Sequence, residues 1–147
     1  MKRLLPPILL VITWATIIFA NSFVPIGYTL PAPWSYVGIP IAVLGILISF
    51  AGARMFKAEE TNIMTFDKPD KLVTTGLFAW SRNLMYLGFA LCALGGAVAM
   101  RTVSPLIISG VFCIVLDRWY VRFEEAMMHA TFSADYASYC EQVRRWV

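Results

Sequence analysis

Four apolar stretches divide the chain: about Leu4–Ala20, Tyr36–Phe50, Leu84–Met100 and Val103–Leu116. A helix needs about 20 residues to cross the hydrocarbon of a bilayer. Each stretch is short by that measure, so flanking aromatic and polar residues must complete the span. The fourth is the weakest, with Ser104, Pro105, Ser109 and Gly110 inside it. Pro105 sits in its first turn, where proline is tolerated. The pattern predicts an all-α integral membrane protein with about four transmembrane helices.

Between the stretches the punctuation is clear. Pro25, Gly27, Pro31 and Pro33 mark a loop after the first span, and Trp34 and Tyr36 suit an interfacial aromatic belt. The second helix is expected to end near Phe56. A polar loop then runs from Lys57 to Trp80, with Asp67-Lys68-Pro69-Asp70 as a turn. Leu72-Val73-Thr74-Thr75-Gly76 suits an extended segment ending in a turn. Ser81 is expected to cap the third helix, and Met100-Arg101-Thr102 to be a tight link. The fourth helix should run on past Leu116, through Trp119, Tyr120 and Phe123, to about Thr131. Ser133 then caps a final amphipathic helix, Ala134–Trp146, with Tyr136, Tyr139, Cys140 and Val143 on one face.

Composition agrees with a bilayer as solvent. Of the 147 residues 59% are hydrophobic and 14% charged, against roughly a quarter charged in soluble domains. Mean hydropathy is +0.69. One domain, 1–147, is expected: residues 1–60 supply two spans and 61–147 a core. Lys2 and Arg3 before an apolar run resemble a secretory leader. Ile18 is a poor residue three places before a cleavage point, so the segment is expected to be retained.

Charge sets the orientation. Asn21–Ser35 carries none, and Arg101 lies on the same side. Lys2, Arg3, Arg54, Lys57, Lys68, Lys71, Arg82, Arg118, Arg122, Arg144 and Arg145 all fall opposite. The positive-inside rule makes that side cytoplasmic, with both termini there. The net charge of +3 is explained by this topology and gives no reason to expect nucleic acid. Cys92, Cys113 and Cys140 show no paired spacing and read as small buried thiols. His129 is the only histidine, so no metal site is expected.

Two polar patches stand where apolar segments meet water: Ser81-Arg82-Asn83-Leu84-Met85-Tyr86-Leu87-Gly88, and Glu124-Glu125. They point to a small membrane enzyme with its site at one face. Asn83 and Tyr86 share a helix face, and Gly88 allows close approach of a backbone or ligand. A helix N-terminus also favours an anion. The plainer reading of this patch is an interfacial anchor, with Arg82 snorkelling to headgroups. Arg118, Arg122 and Glu125 share one face by α-helical spacing, and Asp117, Val121 and Glu124 a neighbouring one. The two glutamates diverge by about 100°. A solvated, salt-bridged helix is the plainer reading here.

From about Thr61 onward the chain resembles the isoprenylcysteine carboxyl methyltransferase family, within a wider group that includes phospholipid methyltransferases. The matching pieces are Leu72-Val73-Thr74-Thr75-Gly76-Leu77-Phe78, Ser81 to Gly88, Arg118, Arg122, Glu124-Glu125, Phe132-Ser133-Ala134-Asp135-Tyr136-Ala137-Ser138-Tyr139 and Val143-Arg144-Arg145. The resemblance implies an S-adenosylmethionine-dependent methyltransferase whose cofactor lies in a cytoplasmic pocket formed with the C-terminal helical extension. It implies that Leu72, Val73, Phe78, Asn83, Leu84, Met85, Tyr86 and Glu124 line the cofactor, and that Arg118 or Arg122 faces a lipophilic substrate entering from the bilayer. Phe78, Tyr86 or Trp119 offers an aromatic face to a sulfonium. Asn83 stands where the family has histidine, and Leu84 where it has proline. Asn83 cannot titrate, which argues against a histidine base at that position. A membrane reductase related to the sterol reductases and a non-enzymatic accessory protein are the competing readings.

The topology is directly testable. Reporters fused after Val147 and inserted within Asp67–Asp70 should both behave as cytoplasmic. A signal from the opposite side at either position would overturn the orientation.

Overall fold

The computed structural model describes residues 4–59 and 70–147. The expected turn at Asp67-Lys68-Pro69 and the basic residues Lys2, Arg3 and Lys68 lie outside the described residues. Five helices organise the remainder: α1 (Pro6–Phe23), α2 (Gly38–Ala58), α3 (Leu84–Ala99), α4 (Val103–Val115) and α5 (Arg122–Gln142). Single 3₁₀ turns precede α2 at Trp34–Val37 and lie at Gly76–Ala79, and a π-helical segment, Leu116–Val121, joins α4 to α5. No strand occurs among the described residues; Tyr28 and Thr102 form one isolated bridge. Pro6–Phe23 and Trp34–Ala58 are long and apolar enough to cross a membrane, whereas α3 is apolar but has 16 residues.

The tightest packing joins α2 to α3, which run antiparallel. Gly38, Gly45 and Gly52 recur every seventh residue on α2 and are buried, as are Gly88 and Gly95 on α3. A Cβ on Gly45 would stand 2.5 Å from both the Gly88 carbonyl oxygen and the Cys92 nitrogen. Small residues therefore let the two backbones touch, the device by which helices associate in lipid. The Ser49 hydroxyl donates to the Met85 carbonyl at 3.1 Å across the same seam. Gly88 is thus used for contact between backbones.

Helix α1 closes the other side, laying the Trp14 ring on Gly96. The linkers at the end remote from α5 are zipped together. Thr29 N–H donates to the Arg101 carbonyl and Val103 N–H to the Ile26 carbonyl, both at 2.9 Å. Ser104 accepts from Ile26 N–H at 3.0 Å and donates to the Val24 carbonyl at 2.6 Å. The polar residue that weakens the fourth apolar stretch is thus a clasp.

Three sequence expectations need correction. Helix α2 continues to Ala58 because the Glu59 N–H still bonds the Met55 carbonyl at 3.0 Å. Ser81 does not cap α3: Asn83 occupies the N-cap position, and Ser81 Oγ accepts instead from the Asn83 N–H at 3.3 Å. The final helix, set off from the rest of α5 by a break at Ser133 (φ 41°, ψ −107°) as expected, ends at Gln142 rather than at Trp146.

The glycine seam makes a prediction. Gly45→Leu should destabilise the protein by about 3 kcal/mol, the upper range for overpacking, as read by denaturant unfolding in detergent. Gly110 has nothing within 4 Å of an added Cβ and lies inside α4, so Gly110→Ala should not destabilise the protein and should gain up to about 1 kcal/mol. Equal effects would refute the seam.

Candidate active site

A cavity of about 210 Å³ opens where the start of α3, the start of α1 and the inner face of α5 converge. Its walls come from distant parts of the sequence. Leu5, Pro6 and Pro7 stand at the head of α1, and Phe56 near the end of α2. Lys71, Val73 and Phe78 come from the connection before α3. Arg82, Asn83, Leu84, Met85, Tyr86 and Phe89 form the α3 side. Glu124, Glu125, Met127, Met128, Tyr136 and Tyr139 come from α5.

The sequence explains how each wall is held. Val73, Phe78 and Leu84 bury one another, with Phe56 tilted against Phe78 at 4.7 Å between ring centres. Tyr136, Tyr139 and Val143 form a second cluster joined by Leu72, Met128, Phe132 and Cys140. The Tyr139 hydroxyl donates to the Phe78 carbonyl at 2.6 Å, tying the two clusters together. Tyr120 donates to the Leu4 carbonyl at 2.8 Å and so pins the head of α1.

The charged groups follow a clear plan. The Tyr86 hydroxyl donates to Glu124 Oε1 at 2.7 Å. Glu125 turns away and accepts from two guanidinium groups: Arg82 at 3.3 Å and Arg145 through a two-point contact. Arg145 also donates to Asp117 at 3.2 Å, and that bond set raises its already high pKa, the Glu125 contact contributing most. Arg82 further lies 2.8 Å from the Cys140 sulfur. Burial pushes the Tyr139 phenol up to about 12 and the Tyr136 phenol higher still, so both are neutral hydrogen-bonding groups at physiological pH.

Of the residues singled out for the cofactor, Val73, Phe78, Asn83, Leu84, Met85, Tyr86 and Glu124 all line this cavity. Leu72 does not; it packs against the Tyr136–Tyr139 cluster. Arg118 and Arg122 are not brought to the cavity either. Arg118 is 66% exposed and pairs with its neighbour Asp117 at 3.4 Å, Arg122 is exposed, and Trp119 also points outward. The reason is the π segment. Its i→i+5 bonding takes one more residue per turn than an α-helix, so faces counted by α-helical spacing across residues 116–121 do not hold. Arg82, Lys71 and Glu125 are the charged lining residues that the sequence reading did not place there. The motif Ser81–Gly88 contained Arg82, but only the folded C-terminal segment reveals which way it faces.

Residues 34–135 match the phospholipid methyltransferase family. The chain belongs to that family. Over 75 residues it is 36% identical to Protein-S-isoprenylcysteine O-methyltransferase of Saccharomyces cerevisiae, a stretch covering 49% of this chain and 30% of the yeast protein. The solved structure of the eukaryotic intramembrane Ras methyltransferase, isoprenylcysteine carboxyl methyltransferase, is similar with a TM-score of 0.67 at 21% identity. That likeness covers 90% of this chain and 48% of the other, and it is a likeness of fold. This phospholipid methyltransferase family member therefore spans less than half of the relatives it matches. The resemblance read from Leu72 to Arg145 is borne out, as is the membrane-protein reading.

The buried phenol of Tyr139 gives a pH test. Its folded pKa of about 12 exceeds its ordinary 10.0. The unfolded chain therefore loses its proton first as pH rises, and the stabilisation present below pH 10 is lost on the way to about 12. Tyr139→Phe should flatten that alkaline loss while costing about 1–2 kcal/mol at neutral pH, from the abandoned Phe78 carbonyl. Unfolding titrations of the two proteins check both signs.

Proposed function

We propose that this chain transfers a methyl group from S-adenosylmethionine to a lipophilic acceptor, a small molecule or an isoprenylcysteine-like carboxylate, at the cytoplasmic face of a membrane. Four spans with both termini cytoplasmic complete the reading. The observation that carries it is the meeting of Tyr86, Glu124 and Asn83 in one apolar-walled cavity, in a chain of a methyltransferase family.

The lining fits such a donor. Glu124 is a carboxylate whose position is fixed by the Tyr86 hydroxyl, suited to accept charge-assisted hydrogen bonds from a ribose or an amino group. Phe78, Tyr86 and Phe89 offer aromatic surface to an adenine ring or a sulfonium. When bound, the donor supplies a methyl group already activated on a positive sulfur. What remains for the protein is alignment and exclusion of water. Val73, Phe78, Leu84 and Tyr139 are nearly fully buried around the cavity and keep its inner wall dry. The apolar lining at Leu5, Pro6 and Pro7 suits an acceptor that keeps its tail in lipid. Arg82 is the arginine that borders the cavity, which favours it over Arg118 and Arg122 as the partner of an anionic acceptor group.

Calorimetry separates this reading from its rivals. The purified protein should bind S-adenosylmethionine and ignore NADPH; the reverse would indicate a reductase, and binding of neither an accessory protein. Glu124→Gln should weaken donor binding by about 1.5–3 kcal/mol through loss of a charged hydrogen bond. Arg118→Lys and Arg122→Lys should keep near-normal methyl transfer to a lipid extract, since snorkelling arginines tolerate lysine. Unchanged donor binding in Glu124→Gln would remove that residue from the site.

A further inference from the structure

We propose that Arg145, in the segment that follows α5, is a positioning residue of the donor site that acts through Glu125 on Arg82. The proposal deepens the reading above and rests on it.

The segment is non-helical, follows the end of α5, and clasps several parts of the cavity framework. Its backbone is gripped by the turn before α3: Arg82 N–H donates to the Arg144 carbonyl at 3.2 Å, and the Asn83 amide donates to the Arg145 carbonyl at 3.1 Å. Its side chains grip the π segment: Arg145 and the Trp146 indole both donate to Asp117 Oδ1, at 3.2 and 3.1 Å. Arg145 also reaches α5, where its two-point contact with Glu125 is the strongest geometry available to such a pair.

Glu125 links the two arginines. Its side chain is 15% exposed and lies between Arg145 and Arg82, the latter 13% exposed. Arg82 and Glu125 border the cavity, whereas Arg145 does not. Arg145 therefore influences the cavity by holding Glu125. Without it, the carboxylate loses its two-point partner and draws Arg82 into a closer pairing, because a half-neutralised buried charge is costly. The guanidinium then leaves its place beside Cys140 and changes the shape and charge of the cavity wall. A tail that served only to cover the bundle would touch stability without touching that wall.

The test uses the full chain in detergent. Donor affinity is measured by calorimetry with S-adenosylmethionine for wild type, Arg145→Met, Arg145→Lys, Glu125→Gln and the double variant Arg145→Met/Glu125→Gln. Arg145→Met should weaken binding about tenfold, and Arg145→Lys should recover part of it by restoring the charge without the fork. The double variant should bind no worse than Glu125→Gln, because both changes act through one link. Arg144→Met, which alters an exposed side chain, should bind normally.

A second readout needs no donor. The Arg82 Nε–H is buried and has no hydrogen-bond partner among the described residues, so its NMR resonance reports the position of the guanidinium. It should shift in Arg145→Met and stay in place in Arg144→Met. If wild type fails to bind the donor, the methyltransferase reading falls and the resonance alone decides whether Arg145 positions Arg82. An unmoved resonance, or wild-type affinity in Arg145→Met, overturns the role assigned to Arg145. Should Arg145→Met fail to fold, Arg145→Lys carries the same comparison.

Discussion

Backbone meets backbone where α2 crosses α3, and the rest of the structure is hung from that contact. Gly45 and Gly88 leave no room for a side chain on either helix. In lipid no hydrophobic force drives two apolar helices together, so their association depends on close packing and on hydrogen bonds such as Ser49 to Met85. The seam fixes the first turn of α3 against the end of α2. That turn carries Asn83, Leu84, Met85 and Tyr86, four of the residues that line the cavity. One wall of the cavity thus begins on a rigid element.

The second determinant is the π segment between α4 and α5. One added residue per turn rotates everything downstream relative to an unbroken α-helix. Leu116, Tyr120 and Val121 face inward and are buried with Tyr86, Phe89 and Phe112. Arg118 and Trp119 face outward. Glu124 and Glu125 then reach the cavity, where each meets a different partner: a tyrosine for the first, two arginines for the second. Within α5 the two glutamates, about 100° apart, thus border one cavity with different partners.

This explains what the sequence could and could not disclose. Long apolar runs carry their own period, so the four helical cores were legible within a few residues. Local motifs were legible too, because Val73, Phe78 and Asn83 to Tyr86 lie within fifteen positions of one another and fold onto one wall. Relations that cross a backbone irregularity were not. The grouping of Arg118, Arg122 and Glu125 assumed 3.6 residues per turn through a stretch where that value fails. The partner of Glu125 proved to be Arg145, twenty residues away, brought back by a segment that the amphipathic pattern assigned to a helix. The glycines at intervals of seven were visible but silent, because their meaning depends on the partner helix.

The two departures at Asn83 and Leu84 find a physical account in the same place. Leu84 is the first residue of α3, the position at which proline is favoured because its missing N–H has no partner there anyway. A proline would stiffen that start by restricting the unfolded chain, an effect of about 0.4–1 kcal/mol. Leu84 is instead 5% exposed and packs against Val73 and Phe78, and burying such a side chain contributes about 1.5–3 kcal/mol. The start of the helix is therefore held by contact with the connection that precedes it. Asn83 supplies the complementary link through its amide to the Arg145 carbonyl, a task for which a neutral donor suffices. The pair exchanges ring stiffness and a titratable group for burial and a fixed hydrogen bond, and in doing so couples the first turn of α3 to the C-terminal segment.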